Sequence, residues 1–256
     1  MKVEVKINEE VRYANLNCPI DISIETSELK SPLAWNVSPV KISPVISEKF
    51  IGSVQKGGHV NFRNIFFNPH GNCTHTESVG HITKEIFPVN NSLKKNHFIS
   101  QLLTIDPIRT DVDFSEFNKK GDLQITVEHF VGKIEPCTEA LVIRTLPNFS
   151  LKKTKDHNNT NWPYLLPEAA KYIRDSGVKH LLIDLPSIDR EVDGGGLLAH
   201  RAFWNYDQEI DLNRTITELI FVPDTLSDDL YLLNLSVANI ENDASPSRPL
   251  LFRLKT

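Results

Sequence analysis

The chain has 256 residues, 40% of them apolar and 24% charged, with a formal net charge of -5 at pH 7. That length supports a substantial hydrophobic core without crosslinks, and the composition is that of a globular protein. A negative balance with no lysine or arginine cluster beyond a few residues offers no footprint for nucleic acid or an anionic membrane surface, so neither is expected as a partner.

The opening MKVEVKINEEVRYANL alternates apolar and charged residues as strands do, and it lacks the apolar centre and small-residue cleavage site of a signal peptide. No run of ~18 apolar residues occurs, so no membrane span is expected. Three cysteines, Cys18, Cys73 and Cys137, are too few and too scattered for a disulfide framework, which points to a reducing, cytoplasmic setting. Triplets such as Asn72-Cys73-Thr74 fit a glycosylation pattern but mean little without a secretory signal.

Residues 20–24 alternate, residues 60–67 read as a strand, and 98–105 and 123–130 follow with β-branched and aromatic side chains. Prolines at 32, 39 and 44 break residues 31–45 into extended loop pieces. The pattern changes near residue 139. ALVIRTL at 140–146 is a short apolar run, and LPEAAKYIRDS at 166–176 has Ala169, Ala170, Tyr172 and Ile173 at helical spacing. Pro167 and Glu168 suit its first turn, and Gly177 is placed to end it. VKHLLIDLPSID then reads as a strand ending at Pro186. Strand, helix, strand predicts a parallel βαβ unit with a site at its carboxyl ends. Residues 152–161 read as a polar surface loop, and 229–240 and 250–254 return to strand. With no repeat and no linker, one mixed α/β domain over 1–256 is expected.

The chemistry concentrates in NPHGNCTHTESVGHI, residues 68–82, which holds His70, His75, Glu77 and His81. In an extended backbone His75 and Glu77, two apart, point the same way and can converge on one ion, with His81 four residues further on. Imidazole and carboxylate together suit zinc, manganese or iron; a lone histidine, by contrast, is most often a surface or satisfied core residue.

The span Gly71-Asn72-Cys73-Thr74-His75-Thr76-Glu77-Ser78-Val79-Gly80-His81 resembles the fingerprint His-x-Gly-Thr-His-x-Asp-x-Pro-x-His of the cyclase family of metal-dependent hydrolases, which includes bacterial kynurenine formamidases. Further on, Ile183-Asp184-Leu185-Pro186-Ser187-Ile188-Asp189 is similar to the family's Gly-Ile-Asp-Thr-Pro-Ser-x-Asp element. Ala199-His200-Arg201 resembles its second histidine, and Thr217-Glu218-Leu219 its late Glu-Asn-Leu. The resemblance implies a β-rich mixed sheet core with flanking helices, of the swivelling β/β/α type, assembled as a homodimer or homotetramer.

For the site, it implies that His75, Glu77, His200 and Glu218 are metal ligands and that His81 transfers protons. Strict spacing puts Gly71 where the family has its first histidine ligand; His70 takes that role if the loop carries one extra residue, which Gly71-Asn72 tolerates. Glu77 stands for the family's bridging aspartate, which leaves the ion count at one or two. Cys73 stands for a glycine, either as a fifth donor or as a small buried filler.

Asp184 and Asp189 either steady the ligands or merely cap a turn at Pro186. Glu218 lies in ITELIF, whose apolar flanks imply burial, and a buried carboxylate needs a partner or a metal. His59, His97, His129, His157 and His180 read as structural, and Trp35, Trp162 and Trp204 either wall a pocket or pack a core.

The resemblance implies a hydrolase that uses zinc, or alternatively manganese, to cleave an amide or related acyl bond of a small molecule: an aryl formamide, a cyclic amide or a lactone. Two rival readings are a catalytically silent binding protein on the same scaffold and a metal-dependent isomerase or dehydratase.

Overall fold

The run ALVIRT forms the strand Ala140–Thr145, in which every residue is buried. Apolar side chains at successive positions need cover on both faces. In the computed structural model, which describes residues 1–113 and 118–256, this strand lies parallel to His97–Ile105 on one side and to His180–Ile183 on the other. Thr215–Glu218 extends the parallel set beyond His180–Ile183. Antiparallel strands complete both edges: Leu230–Asn234, Leu250–Lys255 and the hairpin Lys2–Ile7/Glu10–Asn15 on one side, His75–Glu77 and Ala244–Pro246 on the other. With Ile20–Asp21 paired to Leu250–Lys255, the sheet has eleven strands among the described residues. This is the mixed, β-rich α/β architecture that the sequence predicts, with few helices.

Alternation along the parallel strands sorts the core into two layers. Leu141, Ile143, Leu181 and Ile183 pack on one face with Ala169, Ala170 and Ile173 of the helix Pro167–Asp175 and with Phe203 and Trp204 of the helix Leu198–Trp204. Ala140, Val142 and Leu182 face the other way, against Ile22, Ile220, Val222, Leu233 and Leu251. Pro167 opens its helix, and Gly177 follows it at φ 94°, a left-handed conformation that stops it. This helix joins Ala140–Thr145 to the parallel His180–Ile183, so the expected βαβ unit is present.

Several expected spans come out shorter. Residues 123–130 form the strand Leu123–Ile125, then a 3-10 turn, Val127–His129, because the Thr126 amide donates to His129 Nδ1 at 3.0 Å and bends the chain. The strand expected at 229–240 covers only Leu230–Asn234, whereas the one expected at 250–254 runs one residue further, to Lys255. Residues 60–67 narrow to Arg63–Phe66, whose partner is Lys41–Pro44. That partner lies where the prolines suggest only loop, and Pro44 is tolerated because it ends a two-stranded ribbon. Residues 152–161 are more than a surface loop, since Lys152 pairs with Asp184 at 2.7 Å and His157 is buried.

Trp204 is a core residue and Trp162 is buried, with the half-exposed Trp35 set edge-on against it at 5.0 Å. Among the described residues no helix is long and apolar enough to cross a membrane.

His180 is structural, 4% exposed, with Nδ1 2.8 Å from the Thr215 hydroxyl. Burial, helped by the charges of Lys95 and Lys179, pushes its pKa from 6.5 down to about 3. The unfolded chain therefore takes up a proton at this histidine below pH 6.5 while the folded chain does not until near pH 3, and stability contributed by the neutral ring drains away as the pH falls through that window. His180→Gln keeps a donor for Thr215 without the titration. Its unfolding free energy from urea titration is expected to fall less than that of wild type between pH 7 and 5, by a difference on the order of 1–2 kcal/mol. Parallel pH profiles would contradict this.

Candidate metal centre

His75 and Glu77 lie on a three-residue strand, HTE, that is completely buried between two antiparallel neighbours. The register sets His75 opposite Glu218 and Glu77 opposite Ile216. Thr76 points to the other face, where its hydroxyl meets that of Thr217 at 2.8 Å. Both functional side chains of the strand thus share a face with Glu218, as period-two geometry requires. Thr74, the residue before the strand, donates its hydroxyl to the Leu219 carbonyl and accepts from the Ile24 amide at 2.8 Å. Leu219 follows Glu218 at φ 53°, an uncommon conformation for leucine, and this anchoring holds it there.

His70 comes from the short helix Pro69–Asn72, begun by Asn68, whose side chain accepts the His70 amide at 2.9 Å. The structure brings His70 to the cluster and keeps Gly71 out of it. A Cβ at Gly71 would lie 2.8 Å from the Ala34 carbonyl oxygen and 2.5 Å from Val37 Cγ2, so that position is filled by backbone packing. His200 comes from the helix Leu198–Trp204, which the sequence did not announce. Asp189 caps its first turn by accepting from the amides of Ala199 and His200 at 2.8 and 3.1 Å.

All six predicted residues converge. Ligand atoms of His75, Glu77 and Glu218 lie within 4.8 Å of one another, as do those of His70, Glu77 and His81, so Glu77 belongs to both groups. His200 Nε2 is 3.0 Å from Glu77 Oε1 and 3.7 Å from Glu218 Oε1.

The imidazoles are oriented from behind. His75 Nδ1 donates to the Cys73 carbonyl at 3.0 Å, and His200 Nδ1 donates to Asp189 Oδ2 at 2.5 Å. Each Nε2 is left facing carboxylates, the arrangement by which a ligating histidine has its outer nitrogen fixed by an acceptor. His75 Nε2 and Glu77 Oε2 are buried without a hydrogen-bond partner, although Glu218 Oε2 stands 3.4 Å from the first and His70 Nδ1 3.2 Å from the second. These contacts are close but badly aligned. Two buried carboxylates with orphaned donor atoms around them fit a divalent cation of the kind imidazole and carboxylate hold.

Charge follows the same logic. Burial works to raise the Glu77 pKa, but the His81 charge and its contacts with His200 and His70 hold it well below the usual carboxylate range. Burial opposes charge on His200 and His70, yet Asp189 and Glu77 raise the first well above an ordinary imidazole, and Asp243 and Glu77 push the second up to about 10. The carboxylates draw positive charge into this space.

Sequence reasoning missed Asp243. Its Oδ2 lies 3.1 Å from His70 Nε2 and 3.2 Å from His81 Nδ1, and both hydrogen bonds hold its pKa far below the usual carboxylate range. It precedes Ala244–Pro246, and its backbone is fixed by the Ser78 amide at 2.9 Å. Only the unforeseen pairing of that strand with His75–Glu77 brings it here.

The remaining candidates separate. Cys73 is a buried filler: burial pushes its thiol up to about 12, and its sulfur points to the Pro69 carbonyl. Asp189 steadies His200. Asp184 instead accepts from the Thr145 amide and hydroxyl and from Lys152, tying two strand ends together. His97 contacts Asn234, and His129 caps its own turn.

An eleven-stranded mixed sheet with a buried His/Glu cluster at its antiparallel edge defines a class of fold and site. The chain belongs to the Cyclase family, described as "Putative cyclase", whose model matches residues 20–190. No curated protein matches it by sequence. Among solved structures it is similar to one described as a predicted metal-dependent hydrolase from Bacillus stearothermophilus, at 17% identity and TM-score 0.60, covering 92% of this chain and 98% of that one. Isatin hydrolase A from Ralstonia solanacearum aligns at 15% identity and TM-score 0.61, covering 92% and 91%. An isatin hydrolase bound to the product analogue thioisatinate aligns at 15% and 0.61, covering 93% and 92%. At these identities the likeness is one of fold.

If Asp189 fixes the His200 tautomer, Asp189→Asn should weaken divalent-cation affinity roughly 10- to 100-fold in competition with a chromogenic chelator. Unchanged affinity would show that His200 Nε2 is not a donor.

Proposed function

We propose that this chain is a metal-dependent hydrolase that cleaves an amide or related acyl bond of a small molecule, of the arylformamidase kind or acting on a cyclic amide. The observation that carries this reading is the pair of buried carboxylates, Glu77 and Glu218, converging with imidazole nitrogens while Glu77 Oε2 and His75 Nε2 have no hydrogen-bond partner. Membership of the Cyclase family and the names of the hydrolases that share the fold support it.

His75, Glu77, His200 and Glu218 would hold the ion, and His70 would join Glu77 in a second donor group, which favours zinc or manganese at one or two ions per chain. When bound, such an ion supplies Lewis acidity toward a carbonyl and toward water. The chain's own residues do the rest. Glu218 accepts the Ile188 amide at 3.0 Å, which fixes its carboxylate. His81 is the proton-transfer residue: it is partly exposed, with Nδ1 held by Asp243, so its Nε2 remains for the leaving amine.

The test is a panel of an aryl formamide, a cyclic amide and a lactone, with products weighed for the gain of one water. We expect hydrolysis of at least one, and a loss of kcat of roughly 10²- to 10⁴-fold in His81→Ala with metal content intact. Metal lost together with activity would make His81 a ligand. Turnover without gain of water would overturn hydrolysis in favour of an isomerase or dehydratase.

A further inference from the structure

At the carboxyl ends of Ala140–Thr145 and His180–Ile183, beside the His/Glu cluster but lined by none of its residues, lies a cavity of about 590 Å³. This is where open parallel sheets take ligands, and the size suits a small molecule. Leu146, Pro147, Phe149, Leu151, Trp162 and Leu185 make its wall. Phe149 and Leu151 are 64% and 73% exposed, so apolar surface is left to solvent at its edge.

Its polar groups are few and divide in two. Lys152 is used up, donating to Asp184 at 2.7 Å and to the Thr145 carbonyl at 2.6 Å. His157 and Lys155 are not. His157 is only 3% exposed, yet neither ring nitrogen makes a hydrogen bond of good geometry, although the Lys152 backbone lies close by. Burial, with the charges of Lys155 and Lys152, pushes its pKa down to about 4, so the ring is neutral and keeps one N–H to donate. Lys155 lines the same cavity and forms no ion pair among the described residues. Burial and the Lys152 charge lower its pKa, and the Glu191 carboxylate offsets this only in part. A buried donor without a partner is costly, and a ligand acceptor would satisfy it.

We propose that this cavity is a second binding site, separate from the His/Glu cluster, for a small aryl carboxylate whose ring lies against Trp162, Phe149 and Leu151 and whose carboxylate accepts from His157 and pairs with Lys155. The site adjoins the cluster through one residue: the Trp162 indole N–H donates to the Asp189 carbonyl at 3.0 Å, and the Asp189 carboxylate holds His200. Occupancy is therefore readable at Trp162.

The test is calorimetric and fluorescence titration of the full chain with benzoate, using benzamide and acetate as controls. Benzoate is expected to bind saturably and change the tryptophan emission, with affinity about tenfold weaker or worse in Lys155→Ala and His157→Leu. Benzamide and acetate should bind correspondingly less, and wild-type protein should bind benzoate equally whether dialysed free of metal or supplied with zinc. Lys155 is exposed, so its variant carries the test if His157→Leu does not fold. Three results would each overturn the proposal: no saturable binding; binding that depends on added zinc but is kept by Lys155→Ala, which would place benzoate at the cluster; or acetate binding as well as benzoate.

Discussion

Two carboxylates buried within 4.8 Å of one another are the constraint around which this molecule is arranged. Glu77 and Glu218 come from neighbouring strands, their oxygens lie within a few ångströms of each other, and both are shielded from water. Like charges at that separation in a poorly polarisable interior repel strongly, and neither can reach solvent. What surrounds them is positive or able to become so: His70, His75, His81 and His200. Those rings are held in turn by the Cys73 carbonyl, Asp189 and Asp243. Removing any one partner would leave buried charge uncompensated, which is far costlier than losing a surface pair.

The fold places this charge at a seam. Thr215–Glu218 is the last parallel strand and His75–Glu77 the first antiparallel one beyond it. A parallel strand delivers its end to the sheet's carboxyl edge, whereas an antiparallel neighbour runs back across it. Their junction therefore brings the end of one strand, Glu218, beside the start of the next, His75. The segment from Asp184 to Asp189 closes the space, since its backbone supplies the Ile188 amide to Glu218 and its last side chain supplies Asp189 to His200. The same edge carries the Trp162 cavity, so two unlike environments, one ionic and one apolar, share a wall.

Much of this was legible in the sequence, for local reasons. ALVIRT and HLLI announce buried strands because each is a short run dominated by consecutive apolar residues, and the helix at 167–175 announces itself through Pro167, its apolar stripe and Gly177. His75 and Glu77 are legible because two residues apart in an extended chain means one face. The helix carrying His200 was hidden: it is seven residues long, follows three glycines, and is started by a side chain ten residues upstream. Asp243 was hidden for a different reason, since its place depends on a strand pairing with no trace in ENDASP. His70 rather than Gly71 enters the cluster because the glycine is needed where the chain passes Ala34, a tertiary contact that spacing does not reveal.

The most direct measurement is metal per chain by elemental analysis, in wild type and in Glu77→Gln and Glu218→Gln, each of which keeps the shape of the side chain but removes its charge. If the buried carboxylates are there for a cation, the wild type carries about one or two equivalents of zinc or manganese and both variants lose most of it. Wild-type protein that takes up no metal even after supplementation, or variants that retain it in full, would contradict that reading and leave the charge in the core to be balanced by protonated histidine alone.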